Sequence, residues 1–366
     1  MQTEFSKEQH LFREVVSGSL KEWSPPSAVR QWMASDRGYD PAVWQQLCGE
    51  VELAGVHVPE AYGGSGFGPI ELGIVCEEMG RTLYCGPFFA SAVMAGCALL
   101  TAASEAHKKA LLPGITSGST IATLVLDDLN EPDRVGRSIR ATDRGELSGM
   151  AGIVVDAHVA DLLIVVAKTT DGLGLYSVAR DASGVSSVPL EVLDPTRKLS
   201  SVTLDNATGQ RIGEVTAETL NRIWDQICVA LAHEMIGGAQ YLLASTVEYT
   251  KVRFQFGRPI GSFQALKHRC ADLLMEVELA RATTHHAARC LASGEGEPYA
   301  ASMAKAMAND TYMNAAKVGI QLRGGIGFTW EDDTHLWFKR AKSSEVFLGT
   351  AHLHRERMMA LVEGLS

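Results

Sequence analysis

Residues 220–250, LNRIWDQICVALAHEMIGGAQYLLASTVEYT, decide how the C-terminal part of the chain folds. Ile223, Ile227, Leu231, Met235, Leu242 and Val247 recur at helical intervals, which places one buried face along a long helix. RFQFGRPIGS (253–262) then breaks the periodicity with glycine and proline. From Thr219 onward only Pro259 and Pro298 interrupt a stretch dominated by Ala, Leu, Met, Glu, Lys and Arg, which favour helix. A second helix is expected from about Phe263 to Leu291, closed by SGEGEP. A third runs from about Tyr299 to Leu322, where RGGIG ends it, and a last from about His352 to Leu365. Four helices in antiparallel succession make a bundle.

Towards the N-terminus the pattern changes. TIATLVL (120–126), DLLIVVAK (161–168) and LGLYSVAR (173–180) are short, β-branched, apolar runs between Asp, Gly, Asn and Pro turns, which predicts an all-β region from about Ser119 to Gly213. FSKEQHLFREVVSGSLKEW (5–23), PAVWQQLCGEVELAGV (41–56) and IELGIVCEEMGRTL (70–83) read as helices around the glycine-rich loop PEAYGGSGFGP (59–69). The expected fold class is α+β and multidomain: an N-terminal helical domain (1–117), a central β-barrel or sandwich domain (118–217) and a C-terminal four-helix bundle (218–366).

The 366 residues carry 33 Lys+Arg against 43 Asp+Glu, a formal charge of −10, the wrong sign for a general phosphate-backbone binder. Nucleic acid is not an expected partner. Seven scattered cysteines without a CxxC pair read as free thiols of a reducing cytoplasm. No run approaches the roughly 20 apolar residues that span a bilayer, so a cytoplasmic protein without a membrane partner is expected. The acidic trio Glu331, Asp332 and Asp333 points to different sides of a helix start, and the adjacent His285 and His286 diverge by about 100° on a helix; no metal site is expected.

Four segments, in this order and at these distances, resemble the acyl-CoA dehydrogenase family along essentially the whole chain. They are GVHVPEAYGGSGFGPIELGIVCEEMGR (55–81), RFQFGRPIGSFQALKHRCADL (253–273), QLRGGIGFTWEDDTHLWFKRA (321–341) and LGT (348–350). The resemblance implies FAD bound between subunits and oxidation of an acyl-CoA thioester to its α,β-enoyl form, with electrons passed to an acceptor protein. Such chemistry needs a carboxylate over the weakly acidic Cα–H while the flavin takes a hydride from Cβ. The cofactor's pyrophosphate wants arginine and exposed backbone N–H groups near a glycine turn. By the same resemblance Arg253, Phe256, Gly257, Gln264, Gln321, Gly324 and Gly325 hold the adenosine-diphosphate half of the flavin, and Thr350 and His352 stand at flavin-contact positions.

The family's base is missing. It is usually a glutamate immediately before the Gly-Thr pair, here Leu348; in some relatives it stands 26 residues before the RxxFG arginine, here Ile227. Neither accepts a proton. Glu234 shares the face of Ile227 but lies about 10 Å along the axis, and is the remaining candidate. The flavin-ring segments also depart from the family: only Glu131-Pro132 remains of a TEPxAGSD-like turn, and GMAGIVVD (149–156) carries Ala151 for a lysine and Val155 for a hydroxyl residue. Losing the ring-binding and base half while keeping the nucleotide half is expected of one member of a heteromeric pair, and resembles the α2β2 enzymes of actinobacterial steroid catabolism. The alternatives are a self-sufficient homotetramer with a displaced base such as Glu234, and a flavin-free scaffold or acyl-CoA-binding partner.

Overall fold

Residues 5–364 are described in the computed structural model of the chain; Leu365, the expected end of the last helix, lies outside them. Helices α1 (Lys7–Trp23), α2 (Pro26–Met33), α3 (Pro41–Gly49), α4 (Pro69–Thr82), α5 (Gly96–Ala102) and α6 (Glu105–Thr116) precede the sheet. Strands β1 (Ala122–Val125), β2 (Arg140–Ala141), β3 (Glu146–Val155), β4 (Leu162–Thr169), β5 (Gly172–Ala179), β6 (Val185–Pro189), β7 (Leu199–Thr208) and β8 (Gln210–Val215) follow. The C-terminal part contains α7 (Ala217–Val252), the hairpin β9 (Phe254–Gln255) and β10 (Arg258–Pro259), α8 (Gln264–Ser293), α9 (Ala300–Arg323), α10 (Thr334–Val346) and α11 (Ala351–Glu363). The N-terminal helices, central sheet and C-terminal helices of the expected fold class are all present, with the four C-terminal helices starting and ending close to expectation where described.

Beyond helices α2 and α6, which the sequence reading did not assign, three pieces differ from it. PAVWQQLCGEVELAGV stops being α-helical at Gly49, and only Leu53–Gly55 resumes as a 3-10 turn. A buried π-helical turn, Phe89–Ala95, runs directly into α5; its sequence, FASAVMAGCALLTA, is apolar on every side and so has no amphipathic period to detect. Finally α10 stands between the third and fourth expected helices, where the sequence showed only a helix start.

The chain forms two compact units. One comprises Arg30–Leu72 and Cys85–Ile227 and holds the sheet, ordered β6-β7-β3-β2-β4-β5-β8 with β1 added parallel to β4. Leu163–Ala167 of β4 are all buried, as a central strand covered on both faces must be. Trp44 anchors α3 through its indole N–H, which donates to the Gly118 carbonyl at 3.0 Å.

The other unit comprises the residues up to Val29, Gly73–Tyr84 and those from Cys228 on. Here α4 crosses α7 at backbone contact. A Cβ on Gly80 would lie 1.8 Å from the Glu234 carbonyl oxygen, and one on Gly237 would lie 1.8 Å from that of Glu77. Glycine is required at both, which explains glycines inside a long helix that otherwise disfavours them. Among the described residues α7 is the one helix long and apolar enough to cross a membrane, but 83% of its most apolar stretch is buried.

Three buried histidines make stability depend on pH. Burial pushes His57, in the sheet unit, down to about 4, and His233 and His354, in the helical unit, down to about 3. All three stay neutral in the folded chain where the unfolded chain takes up protons, near pH 6.5. Stability is therefore complete above that value and falls as pH drops, by about 1.4 kcal/mol per unit for each histidine. A urea midpoint followed from about pH 7 to 4.5 should fall steadily, and His57→Phe should flatten the slope by about one proton. A midpoint independent of pH over that window contradicts this account.

Candidate active site

Three motif segments meet at one end of the helical unit. The last turn of α7 delivers Arg253, whose N–H donates to the Tyr249 carbonyl at 3.0 Å and whose own carbonyl accepts from Ile260 N–H at 2.8 Å. Between them the β9–β10 hairpin pairs Gln255 with Arg258. Its two-residue loop is Phe256-Gly257, with φ of 54° and 76°, the positive pair that a type I′ turn needs. For a phenylalanine that is a genuine outlier, and the side chain is 90% exposed. Strain that displays an aromatic ring in solvent is a signature of a contact site. The Arg258 guanidinium lies 4.0 Å from the Phe263 ring centre, and this braces the hairpin against the start of α8, where Gln264 is the first residue and exposed. A groove of about 440 Å³ runs beside it, lined by Thr250, Lys251, Pro259, Lys267 and Cys270 among others.

The turn after α9 is tied to the same end. Tyr249 donates its hydroxyl to the Arg323 carbonyl at 3.5 Å. The Arg323 guanidinium donates to Thr246 Oγ1 at 2.8 Å and to Ser245 Oγ at 3.1 Å, and pairs with Asp332 at 3.2 Å. Arg323, which the sequence reading passed over, thus pins the Gly-Gly turn to α7. Gln321, Gly324 and Gly325 are exposed. Gly324 has φ 69° and ψ −147°, a conformation for glycine, and open space lies where its Cβ, or that of Gly325, would stand. The donor set fits an ADP moiety: arginine, two amide side chains and a bare backbone turn.

Thr350 and His352 are elsewhere. Lys305, fully buried on α9, donates to Asn309 Oδ1 at 2.7 Å, the Ser344 carbonyl at 3.1 Å and the Gly349 carbonyl at 3.2 Å. That fixes the turn 348–350 near the N-terminal end of α9, about 24 Å along the helix from Gln321. Thr350 caps α11, accepting from Leu353 N–H, and His352 is exposed. The two groups of candidates therefore do not meet within one chain at a single end of a cofactor.

At that turn Leu348 has φ 57°. Its carbonyl accepts from Cys228 Sγ at 4.0 Å and lies 2.8 Å from His354 Nε2. Burial holds His354 neutral, so it donates from one nitrogen only. The Leu348 side chain is fully buried, as is Ile227. Glu234 is buried too and is engaged: Oε1 accepts from Arg340 at 2.8 Å. A carboxylate holding a buried guanidinium is costly to protonate, a poor start for a base. In the sheet unit Ala151 and Val155 of β3 are fully buried, and Pro132 begins a 3-10 turn. Of the aromatics Trp330, Trp337 and Phe338, Trp337 is buried and donates to the Gly80 carbonyl at 3.3 Å, while Trp330 is exposed.

The long-range ion cluster escaped sequence reading altogether. Glu77, buried, contacts Arg13 at 2.6 Å, Arg281 at 3.3 Å, Arg81 at 3.7 Å and His285 at 3.2 Å. Hydrogen bonding from His285 and the surrounding guanidinium charges hold its carboxyl far below the usual range, against its burial.

Comparison with known proteins shows the family. The N-terminal domain of acyl-CoA dehydrogenase matches residues 6–119, and the C-terminal domain matches residues 226–362. Acyl-CoA dehydrogenase IpdE2 of Mycobacterium tuberculosis (strain ATCC 25618 / H37Rv) is 39% identical over 345 residues, 93% of each chain. The structure of a variant of the Tcur3481-Tcur3483 steroid ACAD superposes with a TM-score of 0.90 at 30% identity, covering 98% of this chain and 99% of that one. The ChsE4-ChsE5 complex from Mycobacterium tuberculosis gives 0.90 at 26% identity and 99% of both. With matched domains at both ends and a 39% identical relative over nearly its full length, the chain belongs to the acyl-CoA dehydrogenase family.

Proposed function

We propose that this chain is the base-lacking subunit of a heteromeric, FAD-dependent acyl-CoA dehydrogenase that converts a steroid-derived acyl-CoA to its α,β-enoyl thioester. The observation that carries it is the turn at Leu348. Its backbone is held in a left-handed conformation by His354 and Lys305, yet the side chain aimed from it is apolar and fully buried. The place is built and the acid is absent, while Ile227 is apolar and Glu234 is tied to Arg340. FAD, when bound, supplies the acceptor for the Cβ hydride. This chain's part is to hold the nucleotide end: Arg253 on the pyrophosphate, Gln264 and Gln321 as amide donors and acceptors, and the exposed Gly324-Gly325 backbone beside them. A related subunit supplies the carboxylate that takes the Cα proton, and an acceptor protein takes the electrons. The paired names of the similar steroid ACAD and of the ChsE4-ChsE5 complex support the heteromer, and the first of them supports the substrate class.

The test is to purify the chain alone and with the product of its neighbouring gene, then record visible spectra and oligomer mass. Flavin colour only after co-expression, at about one flavin per two chains in an α2β2 particle, is the expected result. Yellow protein from the single chain, bleached by an acyl-CoA, overturns it in favour of a homotetramer; Glu234→Gln then identifies the base by a loss of about a thousandfold in turnover. In the heteromer the same variant leaves turnover within a few fold. Absence of flavin in both preparations leaves the scaffold reading.

A further inference from the structure

Paired with its neighbour His285, His286 cannot chelate an ion; paired with Cys290, one turn further along α8, it can. The two residues face the same side of the helix at i and i+4, and Cys290 Sγ lies 3.5 Å from His286 Nε2. The segment 293–298 folds back over them. Gly294 closes α8 with φ 69° and donates its N–H to the Cys290 carbonyl. Ser293 Oγ then accepts from Glu295 N–H at 3.1 Å and donates to the Glu295 carbonyl at 3.0 Å. At Gly296, φ 122°, the backbone presses so close that a Cβ would stand 2.5 Å from Cys290 Sγ; only glycine permits that approach. The result is that Glu297 reaches across the helix face. Its Oε2 lies 2.8 Å from His286 Nε2 and 3.8 Å from Cys290 Sγ.

The geometry points to a zinc-binding site formed by His286, Cys290 and Glu297. Tetrahedral zinc, with bonds of about 2.3 Å to sulfur and about 2.0–2.1 Å to nitrogen or oxygen, sets ligand atoms about 3.6 Å apart when one is sulfur and about 3.3 Å apart otherwise. The three separations here are within about 0.6 Å of those values before any side chain moves. One imidazole, one thiol and one carboxylate are zinc's usual donors and not those of calcium or magnesium. Binding releases the thiol proton as the Zn–S bond forms, and thiolate plus carboxylate neutralise the ion's two charges. His286 and Glu297 keep 26% and 45% of their side chains exposed, so the ion has an entry path and a fourth position for water. Without an ion the same contacts are hydrogen bonds, His286 with Glu297 and the Cys290 thiol with both; zinc would replace them with three bonds to one centre.

A second His/Glu group, Glu77, His233 and His285, shows what an unsuitable site looks like. Its imidazoles are stacked at 5.2 Å and 22°, so their lone pairs lie in two nearly parallel planes. Three arginines already surround the carboxylate. Beside Cys290 and Glu297 the charged neighbour on the helix is Arg289, which adjoins Cys290 on the chain.

Such an ion would staple the turn between α8 and α9, bonding two turns of one helix to the residue whose carbonyl accepts from Ala300 N–H at the start of the next. The experiment uses the full chain, with its partner subunit where the two copurify, freed of metal by a chelator and titrated with Co²⁺. The expected result is about one cobalt per chain with intense tetrahedral d–d bands and a thiolate-to-cobalt charge-transfer band, all displaced by Zn²⁺. Cys290→Ser should abolish the charge-transfer band. His286→Ala and Glu297→Gln should each weaken zinc binding by more than the roughly 10–100-fold that loss of an outer-shell partner costs. Circular dichroism identical to wild type excludes misfolding. Pale, octahedral cobalt spectra in wild type, or an unchanged band in Cys290→Ser, overturn the site.

Discussion

Replacing Arg253 with alanine should leave the purified complex with about a tenth or less of its flavin, while the far-ultraviolet circular dichroism stays unchanged. The side chain is exposed at the end of α7 and its backbone, not its guanidinium, closes the hairpin, so folding does not depend on it. A charge-assisted contact to a phosphate contributes about 1.5–3 kcal/mol, or about 10- to 100-fold in affinity. Arg253→Lys should recover only part of the loss, since a point charge cannot make a two-pronged contact. The measurement is the ratio of flavin to protein absorbance after gel filtration. Full flavin content in Arg253→Ala removes the nucleotide-gripping role from this chain.

The second large effect concerns stability. Glu77→Gln should lower unfolding free energy by about 3 kcal/mol, because it removes the buried carboxylate shared by Arg13, Arg81, Arg281 and His285 and leaves Arg13 and Arg81 only Glu78, and Arg281 only Glu278. Arg13, Arg81 and Arg281 expose only about a fifth of their side chains around that carboxylate, so solvent replaces little of what is lost. The exposed pair Lys251–Glu248, with 60% and 70% of its side chains in solvent, is the control: Glu248→Gln should cost less than about 1 kcal/mol. Denaturant titrations of the two variants decide it. Equal effects would mean that the Glu77 cluster is no more than a solvated surface network.

Helix α7 was legible because its apolar positions repeat along the chain, and β1, β4 and β5 because short β-branched runs end in turns. FASAVMAGCALLTA was not, since burial of all but its last three residues erases the periodicity that marks a helix. In the site, Arg253, Gln264, Gln321 and the Gly-Gly pair were visible as local motifs. Arg323 was not, because its role depends on Ser245, Thr246 and Asp332 arriving from two other segments. The partnership of Glu234 with Arg340 across 106 positions, and of Glu77 with His285 across 208, left no trace in spacing. Cys290 and Glu297 lie close in sequence, yet only the positive-φ glycines 294 and 296 turn them towards each other.

The sequence by itself determined the family, the order of helices and sheet, and the apolar identity of Leu348 and Ile227. Those follow from residue identity and short-range periodicity, which the backbone reads one turn or one strand at a time. Tertiary structure alone decided that Glu234 is held by Arg340, that Arg253 and the Gly-Gly turn share one end of the helices, and that Thr350 and His352 stand far from them. Such pairings arise when separate segments bury surface together, and the charge or hydrogen bond each group then finds depends on its new neighbours instead of its place in the chain.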